Sequence, residues 1–265
     1  MIGPRRRHRN DAMTAAPSPS PPTSTTFREW MDSLIAPRGA QAEWPWLLRE
    51  MLTAEYFRQR DLGFCYAGEV FKDRDGDYPH TAVLPEKKAV KDLYHLCRLN
   101  SGGVLRIGEE PYWLLGYEWP NQGGDQEKGR RADLVGLNGD GGLVVFECKL
   151  ANNSYGPFAA VLEGLDYLAC LTTDANFLKV RNGFSVWTAR PGKVVPDGFH
   201  EQSPSLTARH EVIVLAPAEY FGLYSRSPRG AGWQAFAALP RSTVPPSIRF
   251  AASDFTTPLG TWVTG

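Results

Sequence analysis

The sequence predicts an α/β protein in which a mixed central β-sheet is flanked by helices and preceded by an N-terminal helical extension. Two patterns carry that expectation. Apolar residues recur at helical spacing over 27–60, 86–99 and from Pro157 to about Leu171, with shorter apolar runs of strand character between and after them. The stretch Arg131–Lys149 reads as two strands joined by a Gly/Asp turn. A chain of 265 residues, 42% hydrophobic and 22% charged, is long enough to bury a substantial core in one domain, and it shows no internal repeat.

In chain order, residues 1–26 hold Arg5, Arg6, Arg7 and Arg9 and then the run Pro17 to Thr23. That composition predicts a disordered basic, Pro/Ser-rich tail, and with no apolar stretch it is not a secretory signal. Residues 27–84 form the extension. Trp30, Leu34 and Ile35, then Trp46, Leu47, Met51, Leu52, Tyr56 and Phe57, predict helices, followed by short strand and loop. Asp73, Asp75 and Asp77 surround Gly76 but lack the downstream Glu of a calcium loop, so they are read as a turn. The core is assigned to 85–243. Its first helix, 86–99, turns Val90, Leu93, Tyr94 and Cys97 inward. Strands follow at 104–107 and 112–119, then the polar loop Asn121–Gly129, the hairpin, and a helix opened by Pro157. Further strands are expected near 184–189 and 211–216, and short helices at 218–225 and 231–239. Residues 244–265 are read as a Pro- and Thr-rich tail with few anchors.

Lys plus Arg and Asp plus Glu number 29 each, which excludes a uniformly basic coat while leaving room for a local basic groove. Cys65, Cys97, Cys148 and Cys170 lack metal-ligand spacing and sit in apolar surroundings, as expected of free buried thiols in the cytoplasm. No apolar run reaches the roughly 20 residues that span a bilayer, so no membrane association is expected. The five histidines are scattered, and there is no G-x-S-x-G elbow, P-loop or G-x-G-x-x-G turn, so serine hydrolysis, nucleotide hydrolysis and dinucleotide binding lack their usual groups.

The hairpin carries the chemistry. Alternation puts Glu147 and Lys149 on one face of their strand. Symmetric pairing about residue 140 sets Leu137 opposite Leu143, Val135 opposite Val145 and Asp133 opposite Glu147. Opposed Cβ atoms lie about 4.5–5.5 Å apart, within reach of one divalent cation. Mg²⁺, with Mn²⁺ as a substitute, needs only one or two carboxylates plus water and substrate oxygens. Asp133 and Glu147 would supply these, and the backbone carbonyl of Cys148 a third ligand. Lys149 would orient an attacking water or offset charge on a phosphate. Lys128, Arg130 and Arg131 enter the hairpin beside the site and are either phosphate contacts or a solvated strand entry. The alternative for Glu147 and Lys149 is an ordinary ion pair at a strand end.

The string RRADLVGL…GGLVVFECKL resembles the motif of the PD-(D/E)XK nuclease superfamily, and the resemblance spans 85 to about 190. It implies a restriction-endonuclease-like αβββαβ core within 85–243. It also implies that Asp133 and Glu147 bind Mg²⁺ and that Lys149 assists the nucleophilic water. Ala132 stands where the family often has Pro. Glu163 stands where the family's following helix often has Gln, and is either a ligand to metal-bound water or the polar edge of an amphipathic helix. Glu86 falls where the first helix often contributes a Glu, and otherwise is a first-turn acid favoured by the helix dipole. Glu118 is a further candidate acid or a solvated strand position. The function so implied is a Mg²⁺-dependent nuclease acting on nucleic acid, in the first instance DNA, with a homodimer suited to double-strand cutting. The alternatives are a catalytically inactive module binding nucleic acid or protein, and a purely structural protein.

Overall fold

The computed structural model describes residues 84–120, 131–153, 156–200, 203–225 and 246–263. The expected N-terminal tail and helical extension, the Asp73–Asp77 turn, the polar loop with Lys128 and Arg130, and the helix at 231–239 lie outside these residues. The described chain runs α1 (Pro85–Ser101), β1 (Val104–Ile107), β2 (Glu110–Pro120), β3 (Arg131–Leu137), β4 (Leu143–Cys148), α2 (Pro157–Thr172), α3 (Asp174–Thr188), β5 (Glu211–Ala216), α4 (Ala218–Ser225), β6 (Ser247–Ala252) and β7 (Leu259–Trp262). Proline opens both α1 and α2, where its missing N–H costs no helical hydrogen bond. Gly102, at φ 63°, ends α1 in the left-handed conformation that glycine adopts without strain.

The strands form a closed barrel in the order β1-β2-β3-β4-β5-β6-β7. β1 to β4 are antiparallel neighbours, β4, β5 and β6 are parallel, and β7 runs antiparallel to β6 and parallel to β1. Closure rests on Arg106 opposite Leu259 and Ile107 opposite Gly260, with the Arg106 and Gly108 N–H groups donating to the carbonyls of Pro258 and Gly260 at 3.0 Å. This corrects the expected open, helix-flanked sheet of restriction-endonuclease-like αβββαβ design. The segment read as a loose tail supplies β6 and β7, and their pairing removes the free edges that an open sheet would leave.

A second difference lies at 184–189, where a strand was expected and the chain is α3. Phe177, Val180, Phe184 and Trp187 are buried along it at three- and four-residue steps, a helical stripe that the short aromatic run Phe184–Thr188 conceals.

Strand alternation divides the apolar interior into two layers. Leu143 and Val145 of β4 join Val135, Val212, Val214 and the inner residues of α2 and α3. Val144, Phe146 and Cys148 join Leu134, Ile213 and Val90, Leu93 and Cys97 of α1. The two apolar layers place α2 and α1 on opposite faces of β4. The β3–β4 register is the symmetric one, with Leu137 opposite Leu143 and Val135 opposite Val145. Asn138 fixes it: its Oδ1 accepts from the N–H groups of Asp140 (3.1 Å) and Gly142 (2.8 Å).

Candidate functional site

β3, β4 and α2 bring four of the expected residues together. Glu147 and Lys149 project from the α2 side of β4, as their parity with Val145 requires, while Cys148 is buried in the α1 layer. The Lys149 ammonium donates to Glu147 Oε1 (2.6 Å) and Glu163 Oε2 (2.9 Å). Glu163 reaches it because α2 lies hard against β5. A Cβ at the neighbouring Gly164 would sit 2.5 Å from Val212 Cγ1, so only glycine allows that approach. On β3, the Asp133 carboxylate accepts from the Cys148 N–H at 2.8 Å, which ties the acid to the end of β4. Glu86, in the first turn of α1, accepts from Asn153 Nδ2 at 2.7 Å, and its charge is felt at Asp133.

Glu147 and Lys149 are deeply buried, 4% and 5% exposed, while Asp133 and Glu163 are half-buried. Desolvation pushes the Asp133 carboxyl up to about 7, against the opposing pull of Lys149 and the Cys148 N–H. Desolvation first, and the neighbouring charge of Asp133 second, hold Glu147 well above the ordinary carboxylate range. Burial by itself would drive Lys149 down, but Glu147, Glu163 and Asp133 outweigh it and keep the amine firmly protonated. Three carboxyls therefore face one ammonium. One oxygen, Glu147 Oε2, is buried without a hydrogen-bond partner among the described residues.

These features fit a hard divalent cation. Carboxyls pushed upward by burial and by one another, and a buried carboxylate oxygen without a hydrogen-bond partner among the described residues, are what a bound cation would relieve, and all the donors are oxygens. Among the described residues no three His, Cys, Asp or Glu side chains form a complete metal-holding group. Asp133 and Glu147 are the two side chains that could hold such a cation, with the Cys148 carbonyl as a backbone candidate and water or substrate completing the coordination.

Other expected residues stand apart from the Lys149 hydrogen bonds. Glu118, on β2 at φ 47°, pairs with Lys87 (3.1 Å) and Arg131 (3.8 Å). Arg131 is exposed at the start of β3, and Lys128 and Arg130 lie outside the described residues. Sequence reasoning missed a second buried charged group. Arg249 on β6 forks onto both carboxylate oxygens of Glu110, lies 3.5 Å from Glu211, and rests 3.3 Å above the Trp262 ring. The alternating stretch Ser247–Ala252, with one arginine among apolar residues, was the available signal. Among the described residues no helix is long and apolar enough to cross a membrane. Comparison with family models, curated proteins and solved structures finds no match to this chain.

Proposed function

We propose that this protein is a Mg²⁺-dependent nuclease that hydrolyses phosphodiester bonds in nucleic acid, DNA in the first instance. The observation that carries the proposal is Glu147 Oε2, a buried carboxylate oxygen without a hydrogen-bond partner among the described residues, in a cluster where three carboxyls face one amine. The motif resemblance to PD-(D/E)XK nucleases supports the same assignment of roles. Asp133 and Glu147 would hold the cation, which supplies Lewis acidity toward a phosphate oxygen and a more acidic water. Lys149, fixed between Glu147 and Glu163 and held protonated, serves as a charged positioning group and not as a proton acceptor. It directs the attacking water and offsets charge that grows on the phosphate. Glu163 acts on Lys149 by anchoring it. Among the described residues Cys97, Cys148 and Cys170 are buried in apolar surroundings, which supports placing the protein in a reducing cytoplasm.

A second reading, a binding module without cleavage, draws on the raised carboxyls: protons on Asp133 and Glu147 could neutralise the cluster without metal. Incubation of the full chain with a DNA duplex separates the two. Cutting with Mg²⁺ or Mn²⁺, its loss in EDTA, and its loss in Glu147→Gln and Lys149→Ala proteins that still fold are expected. Cutting that persists in both variants overturns the assignment, and duplex binding without product selects the module.

A further inference from the structure

We infer that Glu118 is a stand-in for a backbone phosphate: its carboxylate holds Lys87 and Arg131 in the free protein, and a phosphodiester of a bound nucleic-acid strand replaces it on both cations. The inference rests on the nucleic-acid reading above and adds the residues that grip the strand beside the acidic cluster. Lys87 Nζ lies 3.1 Å from Glu118 Oε1, and Arg131 Nη1 lies 3.8 Å from Oε2. Two cations thus share one carboxylate, the reverse of the balance around Lys149, where one amine meets Glu147 and Glu163. A carboxylate and a phosphodiester each present one negative charge on two terminal oxygens. A guanidinium and an ammonium placed for the first are therefore placed for the second.

The strands set this group next to the acidic cluster. Arg131 and Asp133 share a face of β3 and stand two residues apart, about 7 Å along the strand. At about 3.4 Å of helix rise per nucleotide, a phosphate on Arg131 lies roughly two nucleotides from one at Asp133. Glu118 falls between the pairs Tyr117–Leu134 and Trp119–Ala132, which sets it across from Asp133 on the neighbouring strand. Lys87 completes the group from α1, one residue after Glu86, whose charge is felt at Asp133.

Three features set the group apart from an ordinary surface pair. Glu118 has φ 47°, and the turn it makes sends Tyr117 and Trp119 into opposite apolar layers. Glycine would make that turn without strain, so what Glu118 adds at this position is its carboxylate. Lys87 stands in the first turn of α1, where the helix dipole disfavours a cation, so its own helix gives no electrostatic reason for a positive charge there. The side chains of Lys87 and Arg131 are 51% and 41% exposed and that of Glu118 only 17%, so an arriving strand meets the cations first. Ion pairs so exposed contribute little to stability, and the Arg131 contact is beyond hydrogen-bond reach, so a phosphate can displace the carboxylate at small cost.

The test is a mutant cycle read by binding in EDTA, so it is independent of cleavage. Wild type, Glu118→Gln, Lys87→Gln/Arg131→Gln and the protein with all three changes are titrated against a labelled DNA duplex across a salt series, with thermal melts as the folding control. Glu118→Gln is expected to bind about threefold more tightly than wild type, and Lys87→Gln/Arg131→Gln about tenfold more weakly with a salt slope shallower by about two. Adding Glu118→Gln to the latter protein is expected to gain nothing, because the carboxylate then has no cation to release. A gain that persists undiminished in the triple variant means that Glu118 only repels the duplex from a distance, and overturns the proposal. Equal affinity in wild type and Glu118→Gln overturns it, as does wild type that binds no duplex. Inorganic phosphate that raises the melting temperature of wild type but not of Lys87→Gln/Arg131→Gln, with duplex affinity equal in both, assigns a small free anion and also overturns it. The expected cycle in a protein that cuts nothing keeps the stand-in and removes the nuclease, whereas Mg²⁺-dependent cutting with a flat cycle does the reverse.

Discussion

Lys149 and Arg249 are both buried cations paired with two carboxylates, at 5% and 8% exposure, yet their surroundings differ in one respect. Around Arg249 the charges balance. Glu110 and Glu211 are met by Arg249 and by Arg209, whose guanidinium lies 3.6 Å from Glu211. Every oxygen of those two carboxylates has a partner, from Arg249, Tyr112, Asn138 or Arg209. Around Lys149 one amine donates to Glu147 and Glu163 with Asp133 beside them, and Glu147 Oε2 has no hydrogen-bond partner among the described residues. A buried polar network stabilises and fixes a fold when all its members are satisfied, whereas a deficit has to be relieved by a proton, a water or a bound ion. The Arg249 network therefore reads as a strut tying β5 and β6 to β2, and the Lys149 network as the candidate site.

The largest expected effects come from removing each cation. Lys149→Ala should destabilise the protein by about 3–5 kcal/mol, because it strands the buried Glu147, and Arg249→Ala by less, because the Glu110 side chain is 44% exposed and Glu211 keeps Asn138 and Arg209. Urea melts with and without Mg²⁺ separate them. Mg²⁺ should restore part of the loss in Lys149→Ala, where it can enter the acidic pocket, and none in Arg249→Ala. Equal Mg²⁺ responses from the two variants would erase the distinction between strut and site. Cleavage should vanish in Lys149→Ala and survive in whatever fraction of Arg249→Ala remains folded.

The next effect is a difference of sign with pH. Asp133 titrates near 7 in the folded protein against an ordinary 3.8, so the folded state binds more protons between those values. Its contribution to stability in the absence of metal therefore falls as pH rises from about 4 to about 7, and stays low above that. Asp133→Asn should stabilise the metal-free protein at pH 8 by about 1–3 kcal/mol, an advantage that disappears toward pH 4. The same variant should lose Mg²⁺ binding by calorimetry. Glu110 behaves oppositely. Its hydrogen bonds to Arg249 lower its pKa, so its contribution is present above 4.5 and is lost as pH falls through its depressed value. Melts of Asp133→Asn and Glu110→Gln across pH 3.5–8 (roughly the span of the carboxyl shifts) should diverge at opposite ends. Parallel curves would mean that the two clusters are of one kind.

The site was more legible than the fold. The pairing about the turn follows from strand parity and a symmetric turn, both local rules, and the register keeps to them from Leu137 opposite Leu143 to Leu134 opposite Phe146. Lys149 and Glu163 meet, but the reason lies in Gly164 and Val212, 48 positions apart in the chain, which no local pattern relates. Closure of the sheet was hidden for the same reason. β7 is four residues long, alternates only weakly in burial, and gains its place by pairing with β1 from the opposite end of the described chain. The Arg249 strut escaped notice because its partners come from β2 and β5, and an arginine in an alternating strand reads as the solvent face until the ring closes over it. Local periodicity records what a segment can become, and the barrel depends on pairings between segments.

The smallest expected effect concerns Arg131, the exposed residue at the mouth of the hairpin. Its contact with Glu118 is 3.8 Å long and 41% of its side chain is exposed, so the pair sits in high dielectric and is screened by salt. Arg131→Gln should change stability by less than about 0.5 kcal/mol. As a phosphate contact Arg131 would show itself elsewhere: duplex affinity should drop about threefold, the salt slope should shrink by about one, and Mg²⁺ affinity should hold. Glu118→Gln, which frees Arg131 and Lys87 from a competing carboxylate, should raise duplex affinity by a similar factor. If both variants bind DNA like wild type, the entry to β3 is a solvated ion pair, and recognition of the strand next to the acidic cluster belongs to other residues.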